Sequence, residues 1–172
     1  ARKHDRIPVT KGQAMPAWDP RPLKATGITY ASSAMGADHT AGLVIDPKIN
    51  GKEAVVASQE IQVVNAICDS TGFCMFLGPS IDETRQFLTP FFGEEITRET
   101  IADIGWQCLQ DEWSFNDRAG FTAADDDMAD CMRTEGIGPE HEMLFDVSSE
   151  LIAMAKVRQP ATETFYSKSP AG

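Results

Sequence analysis

Between Lys52 and Cys68 the apolar positions Val56, Ala57, Ile61, Val64, Ile67 and Cys68 recur at helical spacing, and Val55, Val63 and Ala66 widen the stripe. A helix that is apolar over most of its circumference belongs inside the molecule. Met75-Phe76-Leu77 continue the apolar character until Gly78-Pro79 stops it. Ser80-Ile81-Asp82-Glu83 is a capping box that opens a helix expected to reach Thr89, just before Pro90. Thr97 caps the next, whose stripe is Ile101, Ile104, Gly105, Cys108, Leu109 and then Glu112 or Trp113.

Weaker signals flank these. Pro8, Pro16, Pro20 and Pro22 keep the first 22 residues extended or turning. Asp19 is expected to cap a short helix started by Pro20 and running to about Ser33. Asp46-Pro47 to Asn50-Gly51 marks a turn, and Thr122 with Asp125 reads as a cap over a helical turn. Ser148 or Asp146 opens a last helix through Val157, and residues 161–172 read as a frayed tail. There is no period-2 alternation strong enough for a sheet and no internal repeat, so the expected fold class is all-α, an irregular helical domain.

Composition narrows the partners. The 172 residues are 42% hydrophobic and 24% charged, an ordinary globular mixture and enough chain for a real core. A net charge of −11 argues against nucleic acid, which needs clustered Lys and Arg. No apolar run approaches a membrane span and no secretory leader is visible. The four cysteines, Cys68, Cys74, Cys108 and Cys131, form no CxxC pair, and the expected setting is a reducing cytoplasm. The opening Ala1-Arg2-Lys3-His4-Asp5 reads like mid-protein sequence, so a piece of something longer is expected.

The candidate chemistry sits at the exit of the long apolar helix, in Asp69-Ser70-Thr71-Gly72-Phe73-Cys74. A carboxylate can accept two parallel N–H bonds from a flat amino-heterocycle. A thiolate is a soft ligand suited to iron–sulfur clusters and zinc. The plain alternative is a helix C-terminus with a buried free cysteine. The segment Tyr30 to Gly42 is built of small residues with one imidazole, His39, which is either a proton donor or a turn histidine satisfied by backbone carbonyls. Cys108 reads as core, and Cys131 and His141 have no spacing partners. Asp125-Asp126-Asp127 lacks the alternating order and terminal Glu of a calcium loop.

Four phrases in order resemble the C-terminal helical region of the tungsten-containing aldehyde:ferredoxin oxidoreductases. They are Lys11-Gly12 through Pro16-Ala17-Trp18-Asp19-Pro20-Arg21, Tyr30-Ala31-Ser32-Ser33 leading to His39, the Asp69–Cys74 loop, and Arg118-Ala119-Gly120-Phe121-Thr122 followed by Asp125-Asp126. The resemblance implies that residues 1–160 are the C-terminal helical domain of a larger oxidoreductase. It implies that Cys74 supplies one ligand of a [4Fe–4S] cluster. Asp69, with Gly72 and Phe73 beside it, would bind the amino-pyrimidine of one of two pterins on tungsten or molybdenum. His39 would stand near the metal and assist proton movement. The implied reaction oxidises a small aldehyde to a carboxylic acid, with ferredoxin as acceptor and the rest of the polypeptide as partner.

Two departures stand out. Phe73 takes the usual place of Leu, and Gly36-Ala37-Asp38-His39-Thr40-Ala41-Gly42 differs from the Cys-His-Leu-Arg form, so the aldehyde stays unidentified. One thiolate cannot hold a four-iron cluster, so the chain alone is expected to bind no cofactor and to be catalytically silent. A cofactor-free helical interaction module and a Cys68/Cys74 thiol switch are the competing readings.

Overall fold

In the computed structural model, which describes residues 6–159, helix α1 (Lys24–Ser32) is buried from Ala25 to Ser32. Its small and hydroxylated side chains allow this because each threonine hydroxyl finds a partner. Thr26 Oγ1 donates to the carbonyl of Val44 and accepts its N–H, both at 2.9 Å, and Thr29 Oγ1 meets Ser58 Oγ at 2.8 Å. A Cβ on Gly27 would run into the Phe145 ring, so only glycine lets that ring close on the helix. Around α1 lies one core, including Ile28, Tyr30, Val55, Phe145 and Ile152.

The expected start of this helix at Pro20 is not found. Asp19 Oδ1 accepts the N–H of Arg21 at 2.9 Å, and its carboxylate grips the Arg21 guanidinium. Arg21 precedes Pro22, which disfavours helical backbone there. The helix therefore begins at Lys24, with Leu23 as an N-cap that makes no side-chain bond.

Helix α2 (Gly51–Thr71) is longer than its apolar stripe, and its buried face overlaps that stripe at Val55, Val63, Ala66, Ile67 and Cys68 but adds polar residues. Ala54, Val55, Ser58, Gln59, Gln62, Val63, Ala66 and Ile67 are buried, whereas Val56, Ala57, Ile61 and Val64 are only half-buried. The polar members are satisfied at a distance. Gln59 Nε2 donates to the carbonyls of Ala155 at 2.9 Å and Val157 at 2.7 Å.

Against α2 packs α4 (Arg98–Ala119), opened by Thr97, whose hydroxyl accepts from Thr100 N–H. A Cβ on Gly105 would lie 2.7 Å from Ile67 Cγ1 and 2.8 Å from the Val63 carbonyl, so this glycine sets the approach of the two helices. Val63, Ile67, Ile81, Ile101, Trp106, Leu109 and Trp113 form the second core there. Trp113, not Glu112, is the buried residue of that turn, and its indole N–H donates to Ser32 O at 2.8 Å.

Helix α3 (Ile81–Phe92) opens on the expected capping box but runs through Pro90 to end at Gly93. Pro90 sits in the last turn and on an exposed face, where a missing N–H costs one bond and the Gly93 N–H still reaches Thr89 O at 3.0 Å. The remaining helices are short. α5 (Asp130–Thr134) has no counterpart in the hydrophobic pattern, and α6 (Ser149–Met154) starts after Ser148 as expected but gives way to turns before Val157.

A small hairpin, β1 (Val9–Thr10) with β2 (Gln13–Ala14), departs from the expectation of no strands. Lys11 and Gly12 at its tip have φ of 49° and 83°, the left-handed pair that a two-residue hairpin loop requires. Two residues per strand leave no alternation to read. Thr122 to Asp127 forms turns and not a helix. Each acid there is engaged: Asp125 by Thr122, Asp126 by Lys11 and Lys156, Asp127 by Arg133. The expected frayed tail lies outside the described residues.

Candidate functional site

Helix α2 ends by a glycine mechanism. Gly72 adopts φ 75°, its N–H reaches Asp69 O at 3.3 Å, and Phe73 N–H reaches Cys68 O at 3.0 Å. This cap turns the chain sharply and leaves both Asp69 and Cys74 exposed. Cys74 then caps a single 3-10 turn, Met75–Leu77. Phe73 is held off the solvent by an edge-on contact with Phe87 of α3, ring centroids 5.0 Å apart. The loop is thus braced from one side, with its acid and its thiol on the surface.

Asp69 lines a cleft of about 70 Å³ between α2, α4 and the loop that follows α1. Thr40 and Ala41 form the facing wall, immediately after His39. Asn65 on α2 clamps that wall by donating to the Thr40 carbonyl at 2.7 Å. The fold therefore brings Asp69 and the His39 loop to one cleft. His39, Gly72, Phe73 and Cys74 are not among its lining residues. His39 itself is half-buried, with Nδ1 3.7 Å from Asp38 Oδ1, too far for a hydrogen bond. Asp38 is committed instead to the N–H of Thr40 at 2.8 Å.

The cleft is acidic. Glu112 and Cys108 of α4 line it together with Asp69. Although Glu112 as a residue is exposed, partial desolvation of its carboxyl against the cleft wall, then the Asp69 charge, pushes that carboxyl above its ordinary value. Burial also pushes the Cys108 thiol up, with the charges of Glu112, Asp111 and Asp69 adding and a Ser70 hydrogen bond opposing. At the inner end Gln62, 1% exposed, donates through Nε2 to Ser32 Oγ at 3.1 Å and Ser58 Oγ at 3.0 Å, while its Oε1 has no partner. Nothing in the sequence pattern marks Gln62 or Glu112 as a site residue, and Cys108, expected in the core, packs half-buried against the second core and also lines the cleft.

Two further features bear on the competing readings. Cys68 is buried and its thiol is pushed up by burial and by Asp69, the opposite of what a reactive thiol pair needs. Beside the loop, Phe76 is 93% exposed, Leu77 74% and Phe91 76%, with Phe87 and Phe92 also exposed. A larger hollow of about 750 Å³ lies between the hairpin and residues 121–130, and none of the expected site residues lines it. Among the described residues, no helix is long and apolar enough to cross a membrane.

Residues 2–157 match the family described as aldehyde ferredoxin oxidoreductase, domains 2 and 3, and the chain belongs to that family. It is similar to the tungsten-containing aldehyde ferredoxin oxidoreductase of Pyrococcus furiosus, 30% identical over 138 residues, covering 72% of this chain and 23% of that protein. The protein of the same description from Thermococcus kodakarensis is 29% identical over 126 residues, covering 66% of this chain and 21% of that one. The match thus spans less than a quarter of these relatives' length.

Proposed function

We propose that this chain is the C-terminal part of a longer tungsten- or molybdenum-pterin, [4Fe–4S] oxidoreductase that oxidises a small aldehyde to a carboxylic acid with ferredoxin as acceptor. The observation that carries the reading is the loop after α2: a buried helix presents an exposed carboxylate and an exposed thiol on one capped bend.

The residues present fit the groups implied. Among the described residues no hydrogen bond or ion pair engages the Asp69 carboxylate, so both oxygens are open to the paired N–H groups of an amino-pyrimidine. Gly72 lets the backbone turn beneath the ring, and Phe73 stiffens the bend through Phe87. Cys74 offers one thiolate. In the proposed enzyme the other three cluster ligands come from elsewhere in the polypeptide. The exposed Phe76, Leu77, Phe87, Phe91 and Phe92 form the kind of apolar surface that another domain covers.

When bound, the metal–pterin centre supplies the two-electron oxidation and the cluster passes electrons onward. The chain's own residues position and protonate. Asn65 ties the loop to α2 through the Thr40 carbonyl, and His39, the preceding residue, would move a proton to or from the substrate oxygen. The isolated chain is catalytically silent, because the remaining ligands are missing. All four cysteines are free thiols, in keeping with a cytoplasmic enzyme.

Metal analysis of the intact polypeptide tests this. About four iron and one tungsten or molybdenum per chain is the expected result. A polypeptide with neither would leave a cofactor-free helical interaction module.

A further inference from the structure

We propose that Lys11, at the tip of the β1–β2 hairpin, is a positioning residue for His39: it holds the end of α1 and the Gly36 turn, and through them the loop that carries the imidazole. The inference rests on the reading of His39 as the group that moves a proton.

Lys11 is an unusual residue for its place. A two-residue hairpin tip favours Asn, Asp or Gly, because both of its residues take positive φ. Lys11 adopts φ 49°, yet its side chain is only 2% exposed. A strained backbone and a buried cation are each costly, and here they fall on one residue. What that side chain reaches is the C-terminal end of α1, where carbonyls lack partners within the helix. Its Nζ donates to Ala31 O, and a cation is favoured at that end of the helix dipole. Neighbouring carbonyls are taken by α4, Ser32 O by the Trp113 indole and Ala34 O by Asn116, each at 2.8 Å.

The hairpin also touches the turn that follows. A Cβ on Gly36 would lie 2.2 Å from Thr10 O and 3.1 Å from Lys11 Cβ, so the hairpin tip lies directly against this glycine. Gly36 in turn anchors the approach to His39: its carbonyl accepts Ser33 Oγ at 2.8 Å and the Asp38 N–H at 2.7 Å. The hairpin itself is fixed by Asp126, which pairs with Lys11 at 2.5 Å and with Lys156 at 2.6 Å. Lys156 Nζ lies 5.9 Å from the centroid of the Trp113 ring, so one buried acid joins both sides of the clamp. Asn65 holds the far end of the loop at Thr40, and Lys11 and Asn65 thus bracket His39.

The test uses the full-length holoenzyme with acetaldehyde as substrate and a low-potential dye as acceptor. Lys11→Met removes the cation at nearly constant length, and Asp126 keeps Lys156 as its partner. The variant is expected to lower kcat about tenfold with KM within about twofold, the pattern of a misplaced group that acts only in the transition state. Amide exchange at Gly36 and Asp38 is expected to quicken. Lys24→Met is the matched control, since Lys24 pairs with Asp146 and donates to Leu144 O at the opposite end of α1. Both readouts are expected to stay at wild-type values there. Faster exchange in Lys11→Met with unchanged kcat, where His39→Ala slows turnover, overturns the proposal and leaves the His39 reading standing. Unchanged turnover in His39→Ala overturns both. Equal losses in Lys11→Met and Lys24→Met reduce the effect to general stability and overturn the proposal as well. Exchange in the wild-type holoenzyme does not depend on a variant folding. As urea is raised, the Gly36 and Asp38 amides are expected to lose protection together with Met15, which donates to Pro8 O across the hairpin. Release of the two loop amides while Met15 stays protected overturns the clamp.

Discussion

Asn65 donates its side-chain N–H to the carbonyl of Thr40 at 2.7 Å, joining the helix that delivers Asp69 to the loop that carries His39. One amide thus ties that helix to that loop. Asn65→Ala removes that bond at a cost of about 1 kcal/mol. The expected outcome is a small drop in unfolding midpoint with faster amide hydrogen exchange confined to residues 36–42. Unchanged exchange there would mean the loop is held by other contacts.

A Cβ at position 105 has nowhere to go, with Ile67 Cγ1 2.7 Å, Val63 O 2.8 Å and Val63 Cγ1 3.0 Å away. All three belong to a packed helix, so α4 must move off α2. Gly105→Ala is expected to destabilise by about 1–3 kcal/mol, despite alanine's better helix propensity. Chemical denaturation of the two proteins would measure it, and a stabilised variant would refute the close approach.

Asp19 governs part of the response to acid. Partial burial pushes its carboxyl up, but the hydrogen bonds and charge of Arg21 outweigh this and hold it below the ordinary value. A depressed carboxylate contributes stability that is complete above the ordinary pKa of an aspartate and disappears as pH falls through the lowered one. Asp19→Asn is therefore expected to be less stable near neutrality, with a shallower loss between about pH 5 and the depressed value. Parallel urea midpoints across that range would show it; identical acid limbs would count against the pair.

Glu112 has the opposite sign. Its carboxyl is raised by partial desolvation at the cleft wall and by Asp69, so the folded state holds the proton more tightly than the unfolded chain. Stability should fall as pH rises from the ordinary glutamate value through the raised one, and Glu112→Gln should remove that slope. Persistence of the slope in the variant would assign it to another group.

Much of this architecture is legible in the sequence. The capping box at Ser80, the cap at Thr97 and the run of α2 follow from local chemistry, which neighbouring residues state directly. The Asp69–Cys74 bend is legible for the same reason: the glycine cap that shapes it lies within the six residues. The cleft is not. Gln62 and Glu112 are far apart in the chain; Gln62 carries no signal in the apolar pattern, and Glu112 enters it only as the alternative to Trp113. Gln62 is buried because hydroxyls at Ser32 and Ser58 receive its amide, and no periodicity encodes such a pairing. The start of α1 escapes for a related reason, since Asp19 takes Arg21 as its partner in place of a helix N-terminus.

His39 is half-buried beside the cleft wall formed by Thr40 and makes no hydrogen bond to Asp38, which is compatible with the proposed role in proton movement. His39→Ala in the intact enzyme is expected to slow turnover by about 10²- to 10⁴-fold, with metal and pterin content unchanged. Equal losses of metal and activity would make it a structural residue.

The central claim is tested most directly by the iron content of the full-length enzyme carrying Cys74→Ala, set beside Cys108→Ala. Cys74 is exposed on the capped bend, whereas Cys108 lines the cleft with its thiol pushed up. Cys74→Ala is expected to lose the four-iron cluster while Cys108→Ala keeps it. Full iron occupancy in Cys74→Ala would contradict the assignment.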